Sequence, residues 1–447
     1  MSTFVRLGKK VKRFAKSVLL PDPKCCVTYC RRIERVKTTE RVCAMTFDDG
    51  PMGLPTSPDL FDGRCLTDVL LDTLSEFNAK GTFDVIGITA DNYPDAAGAP
   101  GTPAWGGTAY DHYPAFEKDS FGGAVNCPQL MERIIREGHQ ITNHGYRHIL
   151  FGKKSFVYGK RHTLGSLDKV LEDLEALDRL LRGQYGYPMT MSRPPHYVDR
   201  IDKNFTSYDA YEKMGYLYLA ASFDGAGWLP AKSADPVQAE IDEMVEPMRK
   251  KLEEDPDFFC GQIIFQKDGY NMARLSPVAD ALGTQLELLA RNGYQVVTVS
   301  ELMEKCPFFD LSPEHPAFSA AKRLLDGGWC ICFRDNSVRP DGVLTRGELA
   351  MYRYGCKTVA DRIELVRKKQ KICRDVTHQH PYAAAIQAAL TAGAMQTMLE
   401  RFRPDDAVIF DEFAAFCRIA LGNEPENISG PITHEAAIRT ISSLLDK

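Results

Sequence analysis

The sequence predicts an α/β fold with a largely parallel sheet, and three observations carry that prediction. Apolar runs such as Gln262 to Phe265 and Gln295 to Val299 read as buried strands. Between them lie stretches of helical periodicity, clearest from Lys160 to Arg182, where Leu164, Leu167, Val170, Leu171, Leu174, Leu177 and Leu181 recur at helix spacing. Strands that alternate with helices in this way build a parallel sheet. A third run, Val42 to Phe47, reads as a buried strand cut off by Gly50-Pro51.

The chain divides into a basic amino-terminal segment (1–37), a central domain (38–306) and a repetitive carboxyl-terminal region (310–447). From Arg6 to Leu20, Lys9, Lys10, Lys12, Arg13 and Lys16 interleave with apolar residues in a basic amphipathic stretch. Surface packing and contact with anionic lipid both fit it. It lacks the continuous apolar core of a signal peptide, since Ser17-Val18-Leu19-Leu20 is short and Pro21 follows. Between Thr89 and Asn126 a Gly-, Pro- and aromatic-rich stretch has no periodicity. It reads either as an irregular insertion or as a roof over a substrate groove that stacks a sugar on Trp105.

The chemistry concentrates in two segments. Thr46-Phe47-Asp48-Asp49-Gly50-Pro51 puts two carboxylates at a strand's end, and His144-Gly145-Tyr146-Arg147-His148 follows about ninety residues later. One Asp and two His form a three-ligand set that leaves a divalent ion an open position for water, the arrangement of a hydrolytic site. Where the backbone bends at the strand's end, one carboxylate can bind metal while its neighbour faces the water. The His pair, four residues apart, can converge from one helical turn or, given Gly145, from a loop.

These residues resemble the polysaccharide deacetylase (NodB-homology) family of carbohydrate esterases, whose motifs are TFDDGP and a pair of histidines three or four residues apart. The resemblance covers roughly Thr38 to Lys305 and includes Gly81-Thr82-Phe83-Asp84-Val85-Ile86-Gly87 and Glu137 to Asn143. It implies a distorted (β/α) barrel with the site at the carboxyl ends of the strands. It further implies one divalent metal, zinc foremost, held by Asp49, His144 and His148, with Asp48 as the base. Ser192-Arg193-Pro194-Pro195-His196-Tyr197 is similar to the family's Arg-x-Pro-Tyr segment, so Arg193 would orient Asp48, with His196 and Tyr197 in the sugar groove. Phe223 to Trp228 looks like the Asp-x-x-Asp-Trp motif, with Asp224 and substrate-binding Trp228 retained and Gly227 in place of the second Asp. Gly261 to Gly269 aligns without gaps to the strand that carries the general-acid histidine, and Lys267 stands there instead. Two readings of Lys267 remain: a proton donor with a lowered pKa, or a side chain that pairs with Asp268 or points to solvent.

After Pro307 the sequence repeats itself. His315 to Gly327, Phe333 to Asp341 and Leu344 to Glu348 recur as His380 to Gly393, Phe402 to Asp406 and Ile409 to Glu412, with a partial third copy from Ile432. The copies, about 312–354, 375–422 and 425–447, resemble S-layer homology repeats, small α-helical modules that bind cell-wall polymers. Arg346 matches the Arg of their Thr-Arg-x-Glu signature and is the candidate wall-polymer residue. Thr345 with Glu348 also forms a plausible helix-capping pair. The charged stretch Lys357 to Lys371 reads as a solvated linker or helix face.

Composition narrows the function. The 447 residues are 44% hydrophobic and 26% charged with a formal net charge of -5, which argues against general nucleic-acid affinity. No apolar stretch approaches the roughly twenty residues of a membrane span. The thirteen cysteines show no framework spacing, and Cys330-Ile331-Cys332 is too close for a zinc knuckle. Thiols and amino terminus indicate a reducing compartment, whereas wall-binding repeats belong outside the cell. The leading expectation is a metal-dependent hydrolase that removes N-acetyl groups from a glycan such as peptidoglycan or a chitin-like oligomer. Its alternatives are a catalytically impaired glycan- or wall-binding protein and a metal-dependent amide hydrolase with a non-sugar substrate.

Overall fold

Strand β2 (Val42–Asp48) organises the domain, and all seven of its residues are buried. The structure, a computed structural model, describes residues 26–53, 64–89, 120–152, 163–227, 236–269 and 277–446. The amphipathic stretch 6–20, Trp105 with residues 90–119, and Trp228 lie outside them. Among the described residues a nine-stranded sheet runs in the order β1 (Arg32–Ile33), β8 (Leu217–Leu219), β7 (Met191–Ser192), β4 (Gln140–Asn143), β3 (Thr82–Val85), β2, β10 (Ile263–Lys267), β9 (Phe223–Asp224), with β11 (Gln295–Val297) also on β2. The pairs from β8 through β9, and β11 with β2, are parallel. Ala44 pairs with both Ile263 and Val297, and Thr46 with both Phe265 and Thr82, so β11 and β3 share one edge of β2 in tandem. The result is an open, parallel-sheet half-barrel rather than a closed ring.

Alternation within the central strands separates two faces. Met45, Phe47, Phe83 and Ile141 are buried on one side, where the Phe47 and Phe83 rings stack at 5.0 Å. Thr46, Asp48, Thr82, Asp84, Gln140 and Thr142 line the other, in register across three strands. The helix predicted from Lys160 begins only at Leu167 and runs to Tyr185. Ser166 accepts a hydrogen bond from the Lys169 amide, and β6 (Thr163–Leu164) pairs with β5 (Leu150–Phe151) as a short parallel ribbon. A capping side chain at Ser166 and a left-handed Gly186 (φ 62°) set the two ends of the helix. β11 likewise stops at Val297, because Thr298 caps the next helix, Val299–Lys305, in a reciprocal box with Glu301.

The chain forms two compact units, one from Ile33 to Pro307 that contains the sheet, the other joining residues 26–32 to Phe308 onward. The second unit is helical: Phe318–Asp326, Arg346–Tyr354, Val359–Lys368, Ala383–Thr391, Phe410–Leu421 and His434–Leu444. Its internal repeat is visible in hydrogen bonds. Asp310 accepts from the backbone amides of Val338 and Arg339 at 2.7 and 2.8 Å, and Asp375 from those of Phe402 and Arg403 at 2.8 and 2.7 Å. Thr345 and Thr433 cap their helices through the Glu348 and Ala436 amides, whereas Ile409 holds the corresponding place in the second copy. Residues 26–32 belong to the same unit through bonds from the Thr28 amide to the Cys332 carbonyl and from the Arg32 amide to the Arg334 carbonyl. The charged stretch Lys357 to Lys371 contains a helix that buries Ile363, Leu365 and Val366.

Candidate active site and metal centre

Parallel register delivers the acidic residues to one place. Asp48 has Lys267 as its neighbour on β10 and Asp84 on β3, all at the carboxyl ends of their strands. β4 ends one residue before His144, and β7 ends one residue before Arg193. The chain turns at Asp49, whose φ of 75° lies in the left-handed region, and passes through a cis Gly50-Pro51 bond. No side chain fits at Gly50, since a Cβ there would lie 2.1 Å from Asp268 Oδ2. The histidines converge from a loop, with Gly145 at φ 86° and His148 at φ 51°.

Asp49, His144 and His148 meet. Asp49 Oδ1 is 3.0 Å from His144 Nε2 and 3.1 Å from His148 Nε2, and all three residues are buried. A tetrahedral ion with bonds of about 2.0–2.1 Å needs its ligands about 3.3 Å apart, so the carboxylate and each imidazole would part by only a few tenths of an ångström to accept one. Carboxylate oxygen with imidazole nitrogen is also the donor chemistry of such a site. The residues fit a divalent metal.

Asp48 is held separately. The Arg193 guanidinium bonds Asp48 Oδ1, and both its terminal nitrogens donate to Thr46 Oγ1 at 3.1 Å. Its remaining donors reach the Ala220 and Leu219 carbonyls at 3.2 and 3.4 Å. Asp48 Oδ2 is left 3.8 Å from His144 Nε2. Burial pushes the Asp48 carboxyl up to about 7, against the pull of Arg193 and His144 and with help from Asp84 and Asp49. Burial would raise Asp49 too, but His148 and Lys267 beside it hold it well below the usual carboxylate range. Burial lowers His144, yet Asp84 and Asp48 outweigh it and raise its proton affinity; at His148 burial wins and the pKa falls.

Lys267 neither pairs with Asp268 nor points to solvent. Its ammonium lies 2.8 Å from Asp49 Oδ2, the oxygen turned away from the histidines, and its side chain is 15% exposed. Asp268 instead accepts from Thr67 Oγ1 at 2.7 Å and is fully buried. Gln266 faces away from the site, as alternation requires, and donates to Gln285 at 2.6 Å. A side chain at Gly227 would meet Val278 at 2.4 Å and Gln266 Oε1 at 3.0 Å, so the missing second Asp has no room without repacking. Asp224 makes a local bond to the Ala226 amide. The His196 ring packs 5.1 Å from that of His148, and Tyr197, 37% exposed, lies under the Arg193 guanidinium at 5.4 Å.

Asp84 was not among the expected site residues. It is fully buried, its Oδ1 accepts from Thr142 Oγ1 at 2.6 Å, and its Oδ2 is 2.9 Å from His144 Nδ1, which also lies 2.9 Å from the Arg193 carbonyl. A carboxylate behind a ligating imidazole fixes its ring orientation and strengthens it as a donor. The signal was present: Thr-Phe-Asp occurs at 46–48 and again at 82–84, and in-register pairing puts the two aspartates side by side.

In the helical unit Arg346 is buried. Its donors go to the Phe402 and Gln396 carbonyls at 2.8 and 2.7 Å and to Glu412, with the guanidinium over the Phe402 ring at 4.9 Å. These contacts tie the first repeat to the second.

Comparison with known proteins matches two parts of the chain to family models. Residues 35–219 match the family model for polysaccharide deacetylase, and residues 374–414 that for the S-layer homology domain. The peptidoglycan-N-acetylglucosamine deacetylase PgdA of Listeria monocytogenes is 24% identical over 270 residues, which are 60% of this chain and 40% of that protein. The chain thus aligns with less than half of that relative's length. A peptidoglycan-N-acetylglucosamine deacetylase of Bacillus cereus is 25% identical over 273 residues, 60% of this chain and 91% of that one. Among solved structures, the chitin deacetylase of Colletotrichum lindemuthianum shares 17% identity at a TM-score of 0.41, covering 64% of this chain and 94% of that one. This chain joins a polysaccharide deacetylase domain to a C-terminal S-layer homology domain.

Proposed function

We propose that the protein is a metal-dependent hydrolase that removes N-acetyl groups from a cell-wall or chitin-like glycan, with its helical unit binding wall polymer. The observation that carries the reading is the buried meeting of Asp49, His144 and His148 beside an Asp48 already held by Arg193. Zinc, the metal that best suits this donor set, supplies Lewis acidity toward the N-acetyl carbonyl and lowers the pKa of water. Arg193 occupies Oδ1 of Asp48, which leaves Oδ2 to take the proton of the attacking water. Lys267, at the rim of the same cluster, donates a proton to the departing amine, which is a poor leaving group until protonated. His196 and Tyr197 flank the approach to the site, and Trp228, outside the described residues, is a further candidate sugar contact. Acetate release by the metal-loaded full-length chain from N-acetylated peptidoglycan fragments and chitooligosaccharides tests the reading. No release from any glycan, with metal bound, would reject it.

The ion pair between Lys267 and Asp49 favours a second reading, a glycan- or wall-binding protein with impaired catalysis. That pair holds the ammonium on the carboxylate rather than toward a leaving amine. Lys267→Met separates the two: loss on amide substrates with retention on activated esters supports the general acid, and inactivity of the parent chain on both supports the binding protein. Retention of the full chain on purified walls, and its loss on removal of 308–447, tests the role of the helical unit.

A further inference from the structure

Two thiols of the helical unit, Cys330 and Cys356, come together at a turn. Cys330 follows the helix Phe318–Asp326, and Cys356 lies in the 3-10 turn Gly355–Lys357 that ends the helix Arg346–Tyr354. The two turns are joined by the backbone, where the Cys330 amide donates to the Tyr352 carbonyl at 3.0 Å. They touch at Gly355. A Cβ there would lie 2.9 Å from Cys330 Sγ and 3.1 Å from Cys330 Cβ, so glycine is what lets the chain that carries Cys356 pass this close. Cys356 follows Gly355 directly, which brings its residue alongside Cys330. Cys330 is buried and Cys356 half-buried, so solvent reaches one sulfur of the pair far better than the other.

We propose that Cys330 and Cys356 form a redox pair, oxidised to an intramolecular disulfide by a low-molecular-weight disulfide. The Cys356 thiolate attacks one sulfur of the oxidant, a Cys356 mixed disulfide forms, and the first small thiolate departs. Cys330 then loses its proton and attacks Cys356 Sγ, which forms the protein disulfide and expels the second small thiolate. Two protein thiols are oxidised and one external disulfide is reduced to two thiols. Position decides the order of attack, because the half-buried sulfur meets the oxidant and the buried one resolves. The Cys330 hydrogen bond, with Lys357 and Arg353 and against burial, lowers the Cys356 thiol to about 6, which supplies the attacking thiolate at neutral pH. Cys332 is a poorer resolving thiol, since burial pushes it up to about 11. Once closed, the bridge pins the C-terminal end of the helix whose N-terminus holds Thr345 and Arg346.

The test is oxidation of the native full-length chain with oxidised glutathione, then alkylation of remaining thiols, tryptic digestion and mass spectrometry. The expected product has lost the mass of two hydrogens and yields the peptide Leu324–Arg334 linked to Tyr354–Lys357, with fragmentation placing the link at Cys330. Cys356→Ser should abolish the product, and Cys332→Ser should leave it unchanged. A stable glutathione adduct on Cys356, a link to Cys30 or Cys332 instead, or full alkylation of both thiols after oxidation would overturn the proposal. Circular dichroism of Cys356→Ser distinguishes loss of the sulfur from loss of the fold.

Discussion

Lys267→Met should tighten metal binding. In the folded chain the Lys267 ammonium sits 2.8 Å from Asp49 Oδ2, while the metal would bind through Oδ1 of the same carboxylate. Ammonium and metal would then lie roughly 4–5 Å apart, where each pair of unit charges is worth about 3–4 kcal/mol at an effective dielectric of 20. For a divalent ion that repulsion doubles, but the figure is a ceiling. Lys267 is partly exposed and can swing its charge toward water as the metal enters. Removing it should therefore improve affinity by about 10- to 100-fold, or about 1.4–2.8 kcal/mol. Methionine retains most of the volume and none of the charge. The assay is competition for zinc against a chromophoric chelator at fixed pH and ionic strength, with circular dichroism to confirm the fold. Equal or weaker binding by Lys267→Met, with the fold intact, would refute the idea that this ammonium opposes the metal.

Three further outcomes are expected. Asp48→Asn should abolish glycan deacetylation yet bind metal as the parent does, whereas His144→Ala should lose metal by elemental analysis; activity surviving in Asp48→Asn would remove Asp48 as the base. Because Asp48 must be ionised to accept a proton, kcat/KM should rise with pH, and the charge of a bound ion should set that limb below the metal-free value of about 7. Arg193→Ala removes the largest influence lowering that pKa, so the rising limb should move to higher pH; a shift the other way would contradict the geometry. Asp375→Ala should cost the helical unit about 2 kcal/mol in denaturant unfolding, for two backbone hydrogen bonds to a carboxylate. Those bonds outweigh burial and hold Asp375 below its ordinary pKa, so its contribution is present above the usual carboxylate range and lost as pH falls through it. Asp375→Ala should lack that acid-dependent loss.

Residues that act through their immediate neighbours in sequence were legible. Asp48, Asp49, His144 and His148 sit in short motifs whose chemistry is local, and Thr345 with Glu348 is a local cap that the structure contains. Residues whose partners arrive by register were not. Nothing near Asp84 in the chain announces His144, and Thr46 gives no sign that it shares Arg193 with Asp48; both relations arise where adjacent parallel strands end together. The partner of Lys267 was missed for a related reason. Sequence proximity offered Asp268, but burial on the Thr67 side takes that carboxylate away, and the turn at Asp49 brings the next one within reach. Arg346 reads in the sequence as a wall-polymer residue, and the structure shows its side chain buried. Its guanidinium joins two repeats, a role that only the tertiary arrangement reveals.

The pairing of residues 26–32 with 332–334 makes the sheet-containing unit an insertion within the helical one. During synthesis the early strand emerges before its partner exists, and the intervening 33–307 can fold while it waits. Assembly of the helical unit is thus a late, high-contact-order event that depends on a segment made before the sheet-containing unit. One proteolytic cut at either connection would leave both pieces held together by that pairing, whereas release of the sheet-containing unit would require two.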